Sequence, residues 1–286
     1  LQYSSSEGYL PLRQYIAQRY DKRFGLKVDP SEILIVNGSQ QAFDLIAKVF
    51  LDVSDTVVIE LPAYLGALQS FSFYEPTFRE VKLTPTGLDL AELEEALKDN
   101  PKLMYVVPNF QNPTGMTYSA ENRKAIAELL KKTDTLLIED DPYGELRFKG
   151  LDNKPIKSYL DDQTIMLGSF SKIVSPGMRM GWVVAKKDIM DKLIIAKQAS
   201  DLHSNYFTQR VICQYLQDND IDEHIKTIKA MYLAQREQMI LSIKKYFDPS
   251  ITYTEPDGGM FLWVTLPEGV SAMKLFENAV IQKIVY

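Results

Sequence analysis

The strongest constraint on the fold is the regular alternation of short strand-like runs with helix-like segments. Ile33–Val36, Thr56–Leu61 and Leu103–Val107 are apolar runs of strand length, and each leads through a turn toward residues with helical periodicity. This alternation is typical of a mostly parallel sheet with helices on both faces. It continues to about residue 185 and predicts a large α/β domain.

Local signals place several of the remaining elements. Asp89, with Glu92 three residues later, resembles a capping box at the start of a helix. From Trp182 to Asp248 the chain has neither glycine nor proline, which predicts mainly helix. The apolar run Met260–Val264 predicts a strand that begins a second, smaller unit.

Polar or aromatic residues follow the ends of several predicted strands. In open α/β sheets ligands bind outside the carboxyl ends of the strands. Each of these residues alone has an ordinary explanation, such as a turn, a cap or half-buried packing. Their recurrence at strand after strand predicts one shared site. The residues are Gly38, Tyr64, Asn112, Asp140 and Lys172.

Lys172 follows the apolar run Ile165–Leu167 and lies among small and hydroxyl residues. An amine in such a place can attack a carbonyl carbon when desolvation or nearby positive charge lowers its pKa. Arg179, seven residues later, would supply that charge and a planar fork for a phosphate. On this stretch alone, a surface lysine is an equally good explanation.

The turn Asn37–Gln41 stands between the first strand and a helix. A strand, a glycine turn and a helix start in that order form an anion site from backbone N–H groups and the helix dipole. Ser39 and Gln40 would add side-chain donors. An ordinary glycine turn is the alternative, and Gly38 alone does not decide between them.

The other strand-end residues suit a flat heteroaromatic ring. Tyr64 could stack on it, and Asp140 would keep a pyridine nitrogen protonated through a charge-assisted hydrogen bond. Asn112 and Tyr143 could donate hydrogen bonds to a phenolate oxygen on its other side. A turn carboxylate is the alternative for Asp140, although the adjacent Asp141 fits that role better. With a phosphate and a reactive amine, the ligand is pyridoxal 5′-phosphate (PLP).

The sequence resembles the fold-type I PLP-dependent aminotransferases of class I, near the bacterial branch of 2-aminoadipate and kynurenine aminotransferases. The matching stretches follow the family's order along almost the whole chain. They are Asn37–Gln41, Leu61–Ala67, Asn112–Gly115, Glu139–Leu146, Ser169–Lys172 and Gly258–Trp263. The resemblance implies an aspartate aminotransferase-like large domain over residues 1–230 and an incomplete small α+β domain over residues 231–286.

The resemblance also implies roles for the site residues. Lys172 corresponds to the Schiff-base lysine and, with Asp140 and Tyr143, forms the catalytic set; no metal is implied. Tyr3 corresponds to a tyrosine that reaches the phosphate in the partner subunit, which implies a homodimer with shared sites. Asn112–Pro113 resembles the family's cis peptide. The implied cofactor-binding set is Gly38, Ser39, Gln40, Tyr64, Asn112, Asp140, Tyr143, Ser169, Ser171, Lys172, Arg179 and Tyr3.

The implied activity is ping-pong transfer of an amino group from an L-amino acid to a 2-oxo acid, with 2-oxoglutarate as the expected acceptor. A PLP-dependent β-lyase or decarboxylase is an alternative, since the cofactor shell hardly distinguishes these reactions. The effector domain of a GntR-type transcription regulator is another. By the resemblance, such domains commonly lose the asparagine at position 112 and the Pro-Tyr-Gly at 142–144, and this chain keeps both.

Composition excludes several other classes of protein. The 286 residues carry a net charge of −6 and have a pI of about 5.2, which argues against a nucleic-acid-binding face. Cys213 is the single cysteine, so no internal disulfide can form. His203 and His224 are the only histidines, too few for a histidine-rich metal site. Without a long apolar stretch or a signal-peptide pattern, the sequence predicts a soluble cytoplasmic protein.

The ends of the sequence suggest a piece of a longer protein. It begins with Leu1 and stops within the apolar run Ile284–Tyr286. In the family, the arginine for the substrate α-carboxylate lies beyond that point, and no arginine follows Arg236 here. We therefore expect this chain to bind PLP better than it transaminates.

Overall fold

The computed structural model describes residues 2–284 and shows the predicted alternation of strands and helices. The strands are β1 (Ile33–Val36), β2 (Thr56–Leu61), β3 (Thr77–Thr84), β4 (Gly87–Leu88), β5 (Leu103–Val106), β6 (Leu136–Asp140), β7 (Thr164–Ser169), β8 (Gly181–Val184), β9 (Thr252–Tyr253) and β10 (Val264–Thr265). The helices are α1 (Leu10–Phe24), α2 (Ser39–Phe50), α3 (Leu65–Ser72), α4 (Leu90–Leu97), α5 (Ala120–Leu130), α6 (Lys187–Asp201), α7 (Tyr206–Asp218), α8 (Ile221–Tyr246) and α9 (Ala272–Ile281). Leu1, Val285 and Tyr286, to which the expectation about the ends of the sequence refers, lie outside the described residues.

One sheet of eight strands forms the centre of the molecule, in the order β1-β8-β7-β6-β5-β2-β3-β4. Strands β7, β6, β5, β2 and β3 pair in parallel. β8 is antiparallel to both of its neighbours, so β1 runs in the same direction as β7. The predicted mostly parallel sheet is confirmed. The carboxyl ends of β1 and of the five parallel strands consequently lie along one edge.

Helices bury both faces of this sheet, which explains why its central strands read as continuous apolar runs. Along β5, Leu103 and Tyr105 pack into the core beneath α2, α3 and α6. Met104 and Val106 point to the opposite face, into the core beneath α4 and α5. A third cluster joins β1 and β8 to α1, α7 and α8. This packing holds the strand ends rigidly in place.

The chain after β8 is mainly helical, as its lack of glycine and proline predicts. The predicted boundary at residue 230 falls within α8 and stays a prediction. The predicted strand Met260–Val264 is wrong in its bounds, because the strand is Val264–Thr265, which pairs with Thr252–Tyr253. Earlier in the predicted run, Phe261 packs against Tyr143, in the turn after β6. Trp263 O accepts from Thr254 N at 2.9 Å, so the pairing begins only at the end of that run.

The capping box predicted at α4 is half formed. Asp89 caps the helix by accepting from the N–H groups of Ala91 and Glu92. The Glu92 carboxylate does not return to Asp89 N, because it accepts from Lys82 N and Lys82 Nζ, both at 2.9 Å. Asp89 N donates to Lys82 O instead. Among the described residues, no helix is long and apolar enough to cross a membrane.

Candidate active site

A pocket opens at the carboxyl edge of the sheet, where the predicted site residues were expected to meet. Its lining includes every member of the predicted cofactor-binding set except Tyr3. These members are Gly38, Ser39, Gln40, Tyr64, Asn112, Asp140, Tyr143, Ser169, Ser171, Lys172 and Arg179. They come from the ends of β1, β2, β5, β6 and β7 and from the turn before β8.

Lys172 lies in a tight turn after β7. Phe170 O accepts from the N–H groups of Ile173, Val174 and Ser175, which closes the turn. Phe170 and Ile173, the buried neighbours on either side, anchor it in the core. The Lys172 side chain lines the pocket, and within residues 2–284 no hydrogen bond or ion pair engages its Nζ. The lysine is therefore held by its backbone while its amine stays available.

Asp140, at the end of β6, is a buried carboxylate that is only partly satisfied. Tyr105 OH donates to its Oδ2 at 3.1 Å, whereas Oδ1 is buried without a hydrogen-bond partner. Burial raises the pKa of Asp140 to about 7, the Tyr105 hydrogen bond opposes this rise, and the nearby carboxylates of Asp141 and Glu60 add to it. The site therefore contains a carboxylate oxygen that needs a donor.

Asn112 and Tyr143 meet on another side of the pocket. Asn112 Nδ2 lies 3.4 Å from Tyr143 OH, to which it donates. Burial raises the pKa of Tyr143 above its usual value, although the hydrogen bond from Asn112 opposes this, so its hydroxyl stays protonated and can donate. The Asn112–Pro113 bond is cis, as the resemblance implied.

Asp141 has the structural role predicted for it. Its Oδ1 accepts from Gly144 N at 2.8 Å and from Asn109 Nδ2 at 2.9 Å. These bonds close the turn that carries Tyr143. The paired aspartates therefore differ in environment: Asp141 organises a turn, whereas Asp140 faces the pocket.

The predicted anion site lies at the start of α2. Gly38 has φ +79°, a left-handed conformation that favours glycine. A Cβ there would lie 2.7 Å from Arg179 Nη2 and would displace that guanidinium. Arg179 Nη2 also reaches Asn37 O at 3.5 Å. The first N–H groups of a helix have no intrahelical partner. Those of Ser39 and Gln40, beside the Arg179 guanidinium, form a cradle for an anion.

Gln40 differs from its prediction as a side-chain donor to a phosphate. Its Nε2 donates to Gly66 O at 2.8 Å and to Ser70 Oγ at 2.7 Å. Both amide hydrogens are therefore directed to α3, and the backbone N–H of Gln40 is what remains for a ligand. Ser169 Oγ accepts from Ser171 N at 3.1 Å, and both serines line the pocket.

Aromatic rings form the apolar walls. The half-buried Tyr64 lies against Phe43, with ring centroids 6.3 Å apart. Phe261, from the turn after Gly259, packs edge-on to Tyr143 at 5.4 Å. Tyr64 thus presents a ring to the pocket, as predicted. The contact of Phe261 links the C-terminal segment to the site.

Tyr3 is the one predicted residue that lies away from the pocket of its own chain. It is 83% exposed, and its ring contacts His203 edge-on at 6.1 Å. The prediction concerned the pocket of a partner subunit, so it stays a prediction.

Sequence reasoning missed several pocket residues. Tyr105 escaped notice because it lies inside an apolar strand, yet a buried tyrosine hydroxyl usually needs a polar partner, and this is the signal that could have identified it. Glu60, near the end of β2, does not line the pocket but was also missed, although charged residues are rarely fully buried and this one is. The lining residues outside the predicted set are Phe43, Tyr105, Val107, Pro142, Pro176 and Phe261.

The residues of the pocket fit PLP. The unpartnered Asp140 Oδ1 would accept from a protonated pyridine nitrogen. Lys172 offers a free amine to an aldehyde, and the start of α2 with Arg179 offers a phosphate site. A planar ring between them would contact Tyr64.

Comparison with known proteins gives the family. The family model described as aminotransferase class I and II matches residues 1–286. The chain is a class I and II aminotransferase. Solved structures similar to it hold PLP derivatives: pyridoxamine phosphate (PMP) in one and N-(5′-phosphopyridoxyl)-L-leucine in another. The aminotransferase is accordingly a PLP-dependent enzyme of fold type I.

Its relatives act on several amino acids. The aminotransferase is 39% identical over 293 residues to aromatic-amino-acid aminotransferase 1 of Thermococcus litoralis, covering 100% of this chain and 70% of the relative. It is 38% identical over 292 residues to 2-aminoadipate transaminase of Thermus thermophilus, covering 100% and 72%. The solved structure of Pyrococcus horikoshii kynurenine aminotransferase matches with a TM-score of 0.95 and 41% identity, covering 100% and 72%.

Transcription regulators also contain a similar sequence. The aminotransferase is 31% identical over 278 residues to the uncharacterized HTH-type transcriptional regulator YisV of Bacillus subtilis. The match covers 96% of this chain and 57% of the regulator. The predicted alternative of a regulator's effector domain thus has a concrete relative.

Proposed function

We propose that Lys172 binds PLP covalently and moves the protons of transamination. When bound, PLP is the electron sink for charge that develops at the substrate α-carbon. Lys172 Nζ has no competing partner among the described residues, so it can attack a carbonyl carbon. With PLP and substrate bound, the Lys172 amine would act as the general base that takes the proton from the substrate α-carbon, and as the general acid that returns it.

The other predicted residues would orient the PLP ring and polarise it. Asp140 would hold the proton of the ring nitrogen through Oδ1, and the hydrogen bond between Tyr105 and Oδ2 would fix the carboxylate plane. Asn112 and Tyr143 would donate to the ring oxygen O3′. Tyr64 would pack on the ring and keep it in one orientation. The phosphate ligands would be Gly38, Ser39, Gln40, Ser169, Ser171 and Arg179.

The observation that carries this proposal is the buried, unpartnered Asp140 Oδ1. An oxygen in that state costs free energy unless a ligand donates to it. A protonated heteroaromatic nitrogen is a donor that fits this pocket, because Tyr64, Tyr143 and Phe261 give it aromatic walls. Because Lys172 and the α2 cradle line the same pocket, one ligand can engage all three groups.

We also propose an L-amino acid as amino donor and 2-oxoglutarate as acceptor. The relative named 2-aminoadipate transaminase supports the acceptor, because glutamate, the product of 2-oxoglutarate, is a dicarboxylic amino acid one carbon shorter than 2-aminoadipate. The aromatic and kynurenine relatives support a test panel that includes aromatic donors.

The test is to add PLP to the purified chain, reduce it with borohydride and find the modified peptide by mass. We expect a pyridoxyl group on Lys172 in the wild type and in Lys187→Ala, an exposed lysine control. Lys172→Ala should lose both the modification and 2-oxo acid formation from the amino-acid panel. Modification of another lysine, or equal modification in Lys172→Ala, would contradict the proposal.

The effector domain of a regulator is a second candidate, favoured by the match to YisV. Such a domain would fix PLP on Lys172 and yet convert none of the amino acids to a 2-oxo acid. Turnover of any amino acid in the panel would favour the enzyme. Release of ammonia and pyruvate from a β-substituted amino acid would indicate a β-lyase.

We further propose a homodimer with shared sites, working in the cytoplasm. Tyr3 supports the dimer, because it projects into solvent away from its own pocket. Cys213, which is buried and unpaired, is compatible with a reducing compartment. We also propose that each chain has two domains, a PLP-binding domain of residues 1–230 and a small domain of residues 231–286.

A further inference from the structure

An ion pair between the buried Lys197 and the partly exposed Asp201 lies beside the proposed phosphate cradle. Lys197, on α6, is fully buried. Its Nζ donates to both carboxylate oxygens of Asp201, at 2.6 and 2.7 Å, and to Gln41 Oε1 at 2.9 Å. An ammonium has three N–H donors, so all three are engaged. Burial lowers the pKa of Lys197, and Asp201 opposes that effect.

Lys197 and Asp201 also form hydrogen bonds to the two ends of the turn Asn37–Gln41. Asp201 Oδ2 accepts from Asn37 Nδ2 and from Gln41 Nε2, each at 2.8 Å. Gln41 Oε1 also accepts from Asn37 N at 2.9 Å. Both ends of the turn are therefore bonded to one ion pair, whereas the residues between them, 38–40, line the pocket.

We propose that Lys197 and Asp201 are positioning residues for the cofactor phosphate. They hold the turn so that the N–H groups of Ser39 and Gln40 converge on one point beside Arg179. Neither residue lines the pocket, so they act through Asn37 and Gln41. The inference rests on the proposed binding of PLP in this pocket.

The chemistry of the pair supports this role. Burying an ammonium costs free energy that a well-packed apolar side chain at the same place would avoid. What an apolar residue cannot do is accept or donate the bonds that fix both ends of the turn. An ion pair with several partners specifies one geometry, which is what an anion cradle made of backbone N–H groups needs.

A second pair on α6 provides a matched control. Lys187 and Asp191 have the same spacing of four residues and also form an ion pair, at 2.8 Å. Their side chains are 82% and 53% exposed, and they lie at the other end of the helix. Replacing Lys187 by Met removes one positive charge from α6, as Lys197→Met does, at a site that makes no contact with the cradle.

The test compares PLP with pyridoxal, which lacks the phosphate, by equilibrium titration of Lys197→Met, Lys187→Met and the wild type. We expect Lys197→Met to weaken PLP binding roughly tenfold or more, the usual loss when the partner that orients a ligand-holding group is removed. Pyridoxal binding should change less than about twofold. Lys187→Met should leave both affinities unchanged.

Equal weakening of PLP and pyridoxal in Lys197→Met would show general loosening and overturn the inference, as would no change in either. If Lys197→Met does not fold, the test uses Asp201→Asn, because Asp201 is partly exposed. The loss of PLP affinity is again compared with the loss of pyridoxal affinity. A wild-type chain that cannot fix PLP on Lys172 would instead overturn the proposed function. The two failures are thus distinguishable, because the inference depends only on ratios to the wild type.

Discussion

At the scale of single residues, Asp140 lowers the stability of the folded chain at a position where it could bind a ligand. Its carboxylate is 3% exposed and has one donor, Tyr105. Because burial raises its pKa to about 7, the folded chain holds a proton that the unfolded chain releases near pH 4. The folded state therefore loses stability as the pH rises from about 4 through 7.

We predict that Asp140→Asn stabilises the PLP-free chain at pH 8. The amide has the shape of the carboxyl group without its charge, so the variant avoids the cost of a buried carboxylate. The gain should be a few kcal/mol, since one pKa unit corresponds to about 1.4 kcal/mol, and it should shrink as the pH falls toward 4.5. Urea unfolding at both pH values measures it. An equal difference at both pH values would contradict the pKa assigned to Asp140.

The sequence predicted residues such as Asp140 and Lys172 because strand ends are visible in it. A polar residue that interrupts an apolar run marks its own position. Tyr105 and Lys197 could not be assigned in this way, because their roles depend on which strand or turn lies beside them. Tyr105, on β5, donates a hydrogen bond to Asp140 on the neighbouring strand β6. Lys197, on α6, donates one to Gln41 in the turn Asn37–Gln41, far from it in the sequence.

At the scale of elements, Glu60 ties together the turns that follow β2 and β5. Its Oε1 accepts from Val107 N at 3.0 Å and from Tyr118 OH at 2.6 Å, and its Oε2 accepts from Gln111 Nε2 at 3.0 Å. Gln111 Nε2 also donates to Pro62 O at 2.8 Å. The turn that carries Asn112 and the turn that carries Tyr64 are thereby fixed to each other.

We predict that Glu60→Leu destabilises the chain by about 3 kcal/mol at pH 8, because it removes the acceptor of Val107 N and Tyr118 OH and one of the two acceptors of Gln111 Nε2. The amides of Thr114 and Gly115, in the turn that Gln111 organises, should exchange faster with solvent. Urea unfolding and hydrogen exchange measure the two effects. Glu80→Leu, at an exposed position on β3, is the control and should change stability by less than about 0.5 kcal/mol. Equal effects of the two substitutions would show that the Glu60 bonds do not stabilise the fold.

The sequence predicted which segments form strands or helices better than it predicted the contacts between those segments. The central strands of the sheet follow from apolar runs, because these strands are buried on both faces. The second half of the capping box failed because Lys82, on the neighbouring strand, competes for the Glu92 carboxylate. The strand bounds after Gly259 failed for a related reason. Contacts between elements decide such cases, and a local pattern does not contain them.

At the scale of the whole molecule, the proposed homodimer would give the exposed Tyr3 a role in a second pocket. Tyr3 is 83% exposed, and its ring contacts that of His203 edge-on at 6.1 Å. If a second copy completes the phosphate site, each pocket contains Lys172 from one chain and Tyr3 from the other. A substitution of Tyr3 in one chain would then impair the pocket that contains Lys172 of the other chain.

This arrangement predicts complementation between two defective variants. Tyr3→Phe should bind PLP weakly, and Lys172→Ala should not fix it at all. In dimers re-formed from an equal mixture, each hybrid contains one pocket with both native residues. About half of the Lys172 side chains should then be modified at wild-type PLP concentrations, as random pairing into two-fold dimers requires. Borohydride trapping with peptide mass measures this fraction. An unmixed sample of Tyr3→Phe is the control, and modification no higher than in that control would show that Tyr3 does not serve a partner's site.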